Sequence, residues 1–306
     1  MSSSSSPPLT QYGGICIGLG GIKGIIMAGA IHQFWVQDQL KNLVYYSGSS
    51  AGSILASLMA IGYSPIELLT ILCDPEFTRQ FGSPNFMNLP IIYGFYPSST
   101  IRSKMQQLYM LKLGYLPTFD DLYRKMGKFL QIPIYCLSET NADKRKIYCS
   151  PLTTPDMSVL DAVVCSCAIP IIFQKTMIKG KVYIDGGYTS TFPIRAFQEV
   201  VPKDCNILGV CLKKDDISLD TFIGYITNLL MVPLSDQDNT PLFKEKVDII
   251  ELSVDKNAEI SSITFDLSVT QKMNLFSSGT KQAREILEKS RSTSKEKDDT
   301  MKEKHE

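Results

Sequence analysis

The chain has 306 residues, 44% of them apolar and 20% charged, enough for one large domain with a well-buried core. Its 31 basic residues balance 31 acidic ones, so no positive field is available to hold a nucleic acid backbone, and that partner class is set aside. The eight cysteines form no CxxC pair and several sit in apolar runs, which reads as reduced core residues rather than disulfides or a zinc site.

The opening residues 1–12 are Ser/Pro-rich, with no basic stretch leading into an apolar core, and are read as unstructured rather than as a signal peptide. "GICIGL" (14–19) is a short apolar run leading into glycines, and residues 24–40 follow with apolar side chains at helical spacing. "LVYYSG" (43–48) is β-branched and aromatic, and "SAGSILASLMAIG" (50–62) is helical. Ser64-Pro65 opens another helix that continues to Cys73. Residues 74–122, rich in aromatics, Pro and Gly, break this rhythm and are expected to form an irregular cover or lid over a site.

Beyond the cover, "LQIPIYCLSE" and "KRKIYCS" flank "TNAD" as a hairpin. Residues 158–168 read as a helix, and "KVYIDGG" (181–187) reads as a strand breaking into a tight turn. "FIGYITNLLMVP" (222–233) is among the longest apolar stretches, yet too short to span a bilayer. "NILGVCL" and "VDIIELSV" are expected as buried strands. A last helix is expected over roughly 265–289, followed by a charged, unstructured tail at 290–306. Strands alternating with helices predict an α/β fold in a single domain, 13–289, with a mostly parallel central sheet and helices on both faces.

Gly48-Ser49-Ser50-Ala51-Gly52 places a serine between a strand and a helix in the pattern G-x-S-x-G. On such a sharp turn the hydroxyl stands above the sheet, and small residues two positions either side let strand and helix approach. The same string also arises as a plain glycine-rich turn capped by serine. A nucleophilic serine commonly borrows a histidine as base, and this chain has only His32 and His305. His305 falls in the charged tail, and His32 lies on the first helix among packing residues. A carboxylate is the remaining candidate. Asp185, where an apolar run breaks into Gly186-Gly187, would accept the Ser50 proton directly, although Asp-Gly-Gly also makes an ordinary turn.

A Ser–Asp pair needs strong oxyanion support. "GLGGIKG" (18–24) sits between the first strand and the first helix, where the amides of Gly20 and Gly21 can converge on an anion beside that of Ala51. The loop is not a P-loop, because Lys23 is followed by Gly24, and it is not G-x-G-x-x-G, because the sixth position from Gly18 is Lys23.

Four pieces in this order resemble the patatin-like phospholipases. They are G-G-x-[KR]-G (Gly20 to Gly24), G-x-S-x-G (Gly48 to Gly52), A-x-P-x-x-F (Ala168 to Phe173) and D-G-[GA] (Asp185 to Gly187). "PTFDDLY" (117–123) and "MNLFSSGTKQAREIL" (273–287) are similar to family segments as well, so the likeness covers about 13–288. The resemblance implies a three-layer fold and hydrolysis of acyl lipids by a Ser50–Asp185 dyad, with no metal and no cofactor. It also implies that Gly20 and Gly21 build the oxyanion hole, and that Lys23 steadies the loop or a phosphate. Leu19 stands where the family usually has a third glycine, and Thr191-Phe192 precede Pro193 where many members carry Asn.

The expected partner is a phospholipid or other acyl lipid, met at a peripheral membrane surface by a cytoplasmic enzyme; no activating protein is identifiable. A transacylase with the same residues and a catalytically silent lipid-binding protein are the alternatives.

Overall fold

Strand β1 (Gly14–Ile17) is buried along its whole length, with β2 (Tyr45–Gly48) and β9 (Ile207–Leu212) pairing in parallel on its two sides. In this computed structural model the described residues are 9–74, 89–213, 246–255 and 267–302, with Asn85, Met87 and Tyr225. Among them the main sheet has eight strands, and β10 (Val247–Leu252), β9, β1, β2 and β4 (Phe129–Cys136) form a parallel run. The remaining strands, β5 (Lys146–Cys149), β7 (Thr176–Ile178) and β8 (Lys181–Ile184), are antiparallel, so the sheet is mixed rather than parallel throughout. The expected hairpin around "TNAD" is the β4–β5 pair.

Side-chain alternation along β1 divides the interior. Ile15 and Ile17 face the large core with Ile26, Ile31 and Phe34 of helix α1 (Gly24–Val36) and Leu55 and Met59 of α2 (Ala51–Ala60). Cys16 faces a smaller core on the other side, with Ile194 and Phe197 of α8 (Ile194–Gln198). Helices therefore flank the sheet on both faces, as expected. Helix α3 (Pro65–Cys73) starts at a capping box, in which Ser64 and Glu67 satisfy each other's backbone amides.

The irregular cover expected over 74–122 is corrected by the structure, although residues 75–84 lie outside the described residues. Residues 89–122 contain α4 (Leu89–Ile92), β3 (Gly94–Tyr96), α5 (Ser99–Leu113) and the start of α6 (Phe119–Met126). The physical reason is legible in α5: Ile101, Met105, Leu108 and Tyr109 recur at helical spacing, and all four are buried. The short strand β3 pairs with β6 (Ile171–Phe173), which follows α7 (Val159–Ser166), as a separate two-stranded ladder. The last helix, α9, runs Val269–Lys302 rather than stopping near 289. No glycine or proline follows Gly279, so nothing in the sequence halts it. The apolar stretch 222–233 lies outside the described residues except for Tyr225. Among the described residues, no helix is long and apolar enough to cross a membrane.

One edge of β4 sets up the site. The amide of Phe129 donates to Val44, at the start of β2, and the amide of Leu137 donates to Val182 of β8. Amides an even number of residues apart point the same way along a strand, so β2 and β8 lie end to end on one edge of β4. The amide of Cys136 points to Arg145 beside β5, on the opposite edge. Pro133, between the two contacts, has no amide proton to strand in the gap. β2 runs toward this gap from one side and β8 from the other, bringing the residues after Gly48 and Ile184 face to face.

Candidate active site

Ser50 follows β2 at φ 53, ψ −123, a conformation that an L-residue adopts only under strain, at about 1–3 kcal/mol. The flanking glycines are steric necessities. A Cβ on Gly48 would lie 2.2 Å from the Gly52 carbonyl oxygen, and one on Gly52 would lie 2.4 Å from that of Ile17. The turn is held by the Ser49 amide donating to Ile17 at 3.1 Å and by the Ser53 hydroxyl donating to the Ser50 carbonyl at 2.6 Å. Ser53 is thereby occupied and Ser49 is fully buried, whereas Ser50 lines a cavity of about 100 Å³. The cavity is walled almost wholly by apolar side chains, among them Ile25, Ile54, Leu72, Ile169 and Phe173.

Asp185 closes β8 and is buried. Its amide donates to Ala168 at 3.0 Å, and its Oδ1 accepts the Gly187 amide at 2.8 Å. Gly186 admits no side chain, because a Cβ would lie 2.2 Å from the Pro133 carbonyl oxygen and 2.4 Å from Ser166 Oγ. Among the described residues, Oδ2 is buried without a hydrogen-bond partner. Burial pushes the Asp185 carboxyl up from 3.8 to about 7, opposed by the Gly187 amide and by the Ser50 hydroxyl. The Ser50 hydroxyl thus lies close enough to favour the charged carboxylate, although no aligned hydrogen bond joins it to Oδ2. A carboxyl poised near neutrality beside a strained serine suits proton transfer in both directions.

The loop after β1 is anchored at both ends of its first half: Gly18 donates to Val210 at 2.9 Å and Leu19 donates to Thr191 at 2.9 Å. Leu19 and Thr191, both departures from the family pattern, therefore meet each other and tie this loop to the chain beyond the Asp185 turn. Gly21–Lys23 form a single 3-10 turn, with Gly21 at φ 51, and the Gly24 amide closes it. Among the described residues, the amides of Gly20, Gly21 and Ala51 donate to no other part of the chain. A Cβ at Gly20 would crowd the loop, meeting the flexible end of Met27 at 2.8 Å and the Gly24 amide nitrogen at 3.1 Å. Gly21, Gly24, Ser50 and Ala51 all line the same cavity, and Lys23 is half-buried at the loop's end.

The structure thus brings together Ser50, Asp185 and the glycine loop, and leaves the histidine out. His32 packs on Phe276 of α9, ring centroids 5.4 Å apart, and burial lowers its pKa. His305 lies outside the described residues. Two residues escaped the sequence reading. Ser166 Oγ accepts the Ser50 amide at 3.0 Å, and Cys167 lines the cavity with its thiol 3.8 Å from the Ser53 hydroxyl. Burial and the neighbouring Asp185 push that thiol up, so it is a poor nucleophile. The available signal was a lone serine inside the apolar run "VVCSCA", directly before the A-x-P-x-x-F segment.

Comparison with known proteins follows the same residues. The patatin-like phospholipase family model matches residues 15–197, more than half of the chain. Over 291 residues the chain is 25% identical to an uncharacterized protein, R571, of Acanthamoeba polyphaga mimivirus, covering 91% of this chain and 94% of that one. Over 184 residues it is 28% identical to a probable lipid hydrolase, 463L, of Invertebrate iridescent virus 6, covering 57% of this chain and 59% of that one. In fold it is similar to VipD from Legionella pneumophila, with a TM-score of 0.51 at 16% identity over 94% of this chain and 72% of that one. The chain belongs to the patatin-like phospholipase family.

Proposed function

We propose that the protein is a lipid acyl hydrolase of phospholipase A type, acting through a Ser50–Asp185 dyad. The observation that carries the reading is the meeting of a strained serine with a buried aspartate whose pKa is raised to about 7, at the edge of an apolar cavity. Family membership and the lipid hydrolase among the relatives support the same class.

In this scheme the acyl chain of the substrate lies in the cavity, and Ser50 Oγ attacks the ester carbonyl carbon as its proton passes to Asp185 Oδ2. The developing oxyanion takes hydrogen bonds from the amides of Gly20, Gly21 and Ala51, for which the described residues offer no competing acceptor. Collapse of the tetrahedral intermediate expels the alcohol, which leaves with the proton from Asp185. A water then gives its proton to Asp185, attacks the acyl-enzyme and releases the fatty acid, returning the proton to Ser50. Side chains and backbone amides carry every step. Lys23, at the end of the glycine loop, is placed to steady that loop or a lipid phosphate. The working location is the cytoplasmic face of a membrane.

Ser50→Ala and Asp185→Asn should each lower fatty acid release from phospholipid vesicles by about 10³-fold or more while the fold survives. Wild-type rates from Asp185→Asn would overturn the dyad. A fluorophosphonate probe should label Ser50, and product analysis with added lysolipid separates hydrolysis from acyl transfer to an alcohol.

A further inference from the structure

The β3–β6 ladder carries strain at both of its entries. Tyr93, directly before β3, has φ 61, and Ile171, the first residue of β6, has φ 70. The two positions are adjacent in space, because Gly94 and Ile171 are in register. A β-branched residue in the left-handed region is a genuine outlier, and such outliers persist where the fold uses them. The ladder's inner end supplies Phe173, which lines the Ser50 cavity. The chain leading into β3 carries exposed apolar side chains: Met87 is 76% exposed, Ile91 is 72% exposed and Tyr93 is 58% exposed. Tyr93 is exposed with a left-handed backbone, and the Lys175 ammonium sits 4.2 Å from the ring centroid.

Charge is distributed unevenly around this ladder. Residues 89–119 and 162–184, the two described segments that contain its strands, hold six lysines and arginines and no aspartate or glutamate, with Asp120, Asp161 and Asp185 at their borders. In a chain whose 31 basic and 31 acidic residues cancel, that is a local excess of one sign. Among the described residues, acids from outside these segments pair with three of the six: Asp161 with Arg102, Glu67 with Lys112, and Glu139 with Lys181. Lys175 stays with Tyr93.

We propose that Met87, Ile91, Tyr93 and Lys175 form a docking surface for an anionic lipid bilayer, which sets the Ser50 cavity against the membrane. The chemistry matches an interface in layers. Ile91 and Met87 enter the acyl boundary, the Tyr93 ring lies at headgroup depth, and Lys175 meets a lipid phosphate or carboxylate. An acidic protein surface would satisfy Lys175 but would gain little from the exposed Ile91 and Met87. A bilayer satisfies both. The inference rests on the acyl hydrolase reading for its purpose, while the binding itself is measurable without turnover.

The test uses the full chain carrying Ser50→Ala, sedimented with phosphatidylcholine vesicles made with and without phosphatidylserine. The parent protein should bind, and more strongly when phosphatidylserine is present. Adding Ile91→Asp or Met87→Asp should weaken partitioning to both vesicle types by about tenfold or more. Lys175→Glu should weaken binding by about fivefold or more on the anionic vesicles and leave binding to the neutral ones unchanged. Circular dichroism verifies that each variant folds, and Lys175→Glu, a surface change, keeps the test decisive if an aspartate variant does not. Three results would overturn the proposal. The parent could fail to bind either vesicle, the variants could bind like the parent, or they could instead abolish a concentration-dependent dimer, which would assign the surface to a second copy of the chain. Fatty acid release by wild-type protein from detergent-dispersed phospholipid reports on the hydrolase reading separately, so either can fail alone.

Discussion

The backbone amide of Ser50 donates to Ser166 Oγ at 3.0 Å, although 116 positions separate the two residues. Ser166 is fully buried, and its Oγ also lies 2.4 Å from where a Gly186 side chain would begin. One hydroxyl at the end of α7 therefore holds the serine turn and abuts the aspartate turn. The strained φ of 53 at Ser50 survives because its surroundings determine it from both sides.

Replacing Ser166 with alanine removes the side chain that accepts this amide, and a buried N–H without a partner costs about 1–3 kcal/mol. Turnover should fall by about 10²-fold with KM little changed, because the nucleophile is displaced while the cavity is not. Steady-state kinetics on a soluble ester, alongside urea unfolding, measures both effects. Unchanged kcat in folded Ser166→Ala would show that the contact is packing alone.

A second expectation concerns pH. The folded-state pKa of Asp185 is raised from 3.8 to about 7, so between those values the folded protein keeps a proton that the unfolded chain has released. Stability should decline as pH rises through that window, by about 4 kcal/mol at most. Asp185→Asn should flatten this slope and be the more stable protein at alkaline pH. Activity runs the other way, rising through about pH 7 as the carboxylate forms. Denaturant unfolding across pH, set beside the pH profile of kcat, tests both signs.

Steric demand at the elbow yields a third expectation. A methyl on Gly52 would sit 2.4 Å from the Ile17 carbonyl oxygen and 2.5 Å from that of Gly18, both backbone atoms that cannot swing aside. Gly52→Ala should cost about 1–3 kcal/mol or more and lower the melting temperature. It should also lower labelling of Ser50 by a fluorophosphonate, since α2 must move off β1 to make room. Wild-type melting would mean that the elbow is looser than these contacts require.

Finally, His32→Ala should leave turnover within about a fewfold, because its ring packs on Phe276 in the interface between α1 and α9. The loss should appear in stability, at about 1 kcal/mol. A drop in kcat of about 10³-fold with the fold intact would restore a histidine mechanism.

Much of this molecule was legible before its fold was known. The strand–turn–helix around Ser50 can be read because glycines at 48 and 52 and the β-branched and aromatic run before them are local signals. The capping box at Ser64 and Glu67 and the hairpin around "TNAD" are likewise encoded within a few residues. Residues 89–122 misled because abundant Pro, Gly and aromatics mask an amphipathic helix, α5, that only burial of Ile101 and Tyr109 stabilises.

By itself, the sequence singled out Ser50 as the candidate nucleophile, the glycine loop as its candidate oxyanion support and, through the scarcity of histidine, a carboxylate as the candidate base. These depend on residue type and short-range spacing. Tertiary structure alone decided how the carboxylate reaches the serine. β2 and β8, well separated in the chain, meet end to end along one edge of β4 beside Pro133, and that pairing brings Ser50 and Asp185 together. Burial in that gap raises the Asp185 pKa to about 7, and desolvation depends on everything packed around a group rather than on its neighbours in sequence. Ser166 belongs with it, since a serine in an apolar run acquires its partner only when α7 is folded against the elbow.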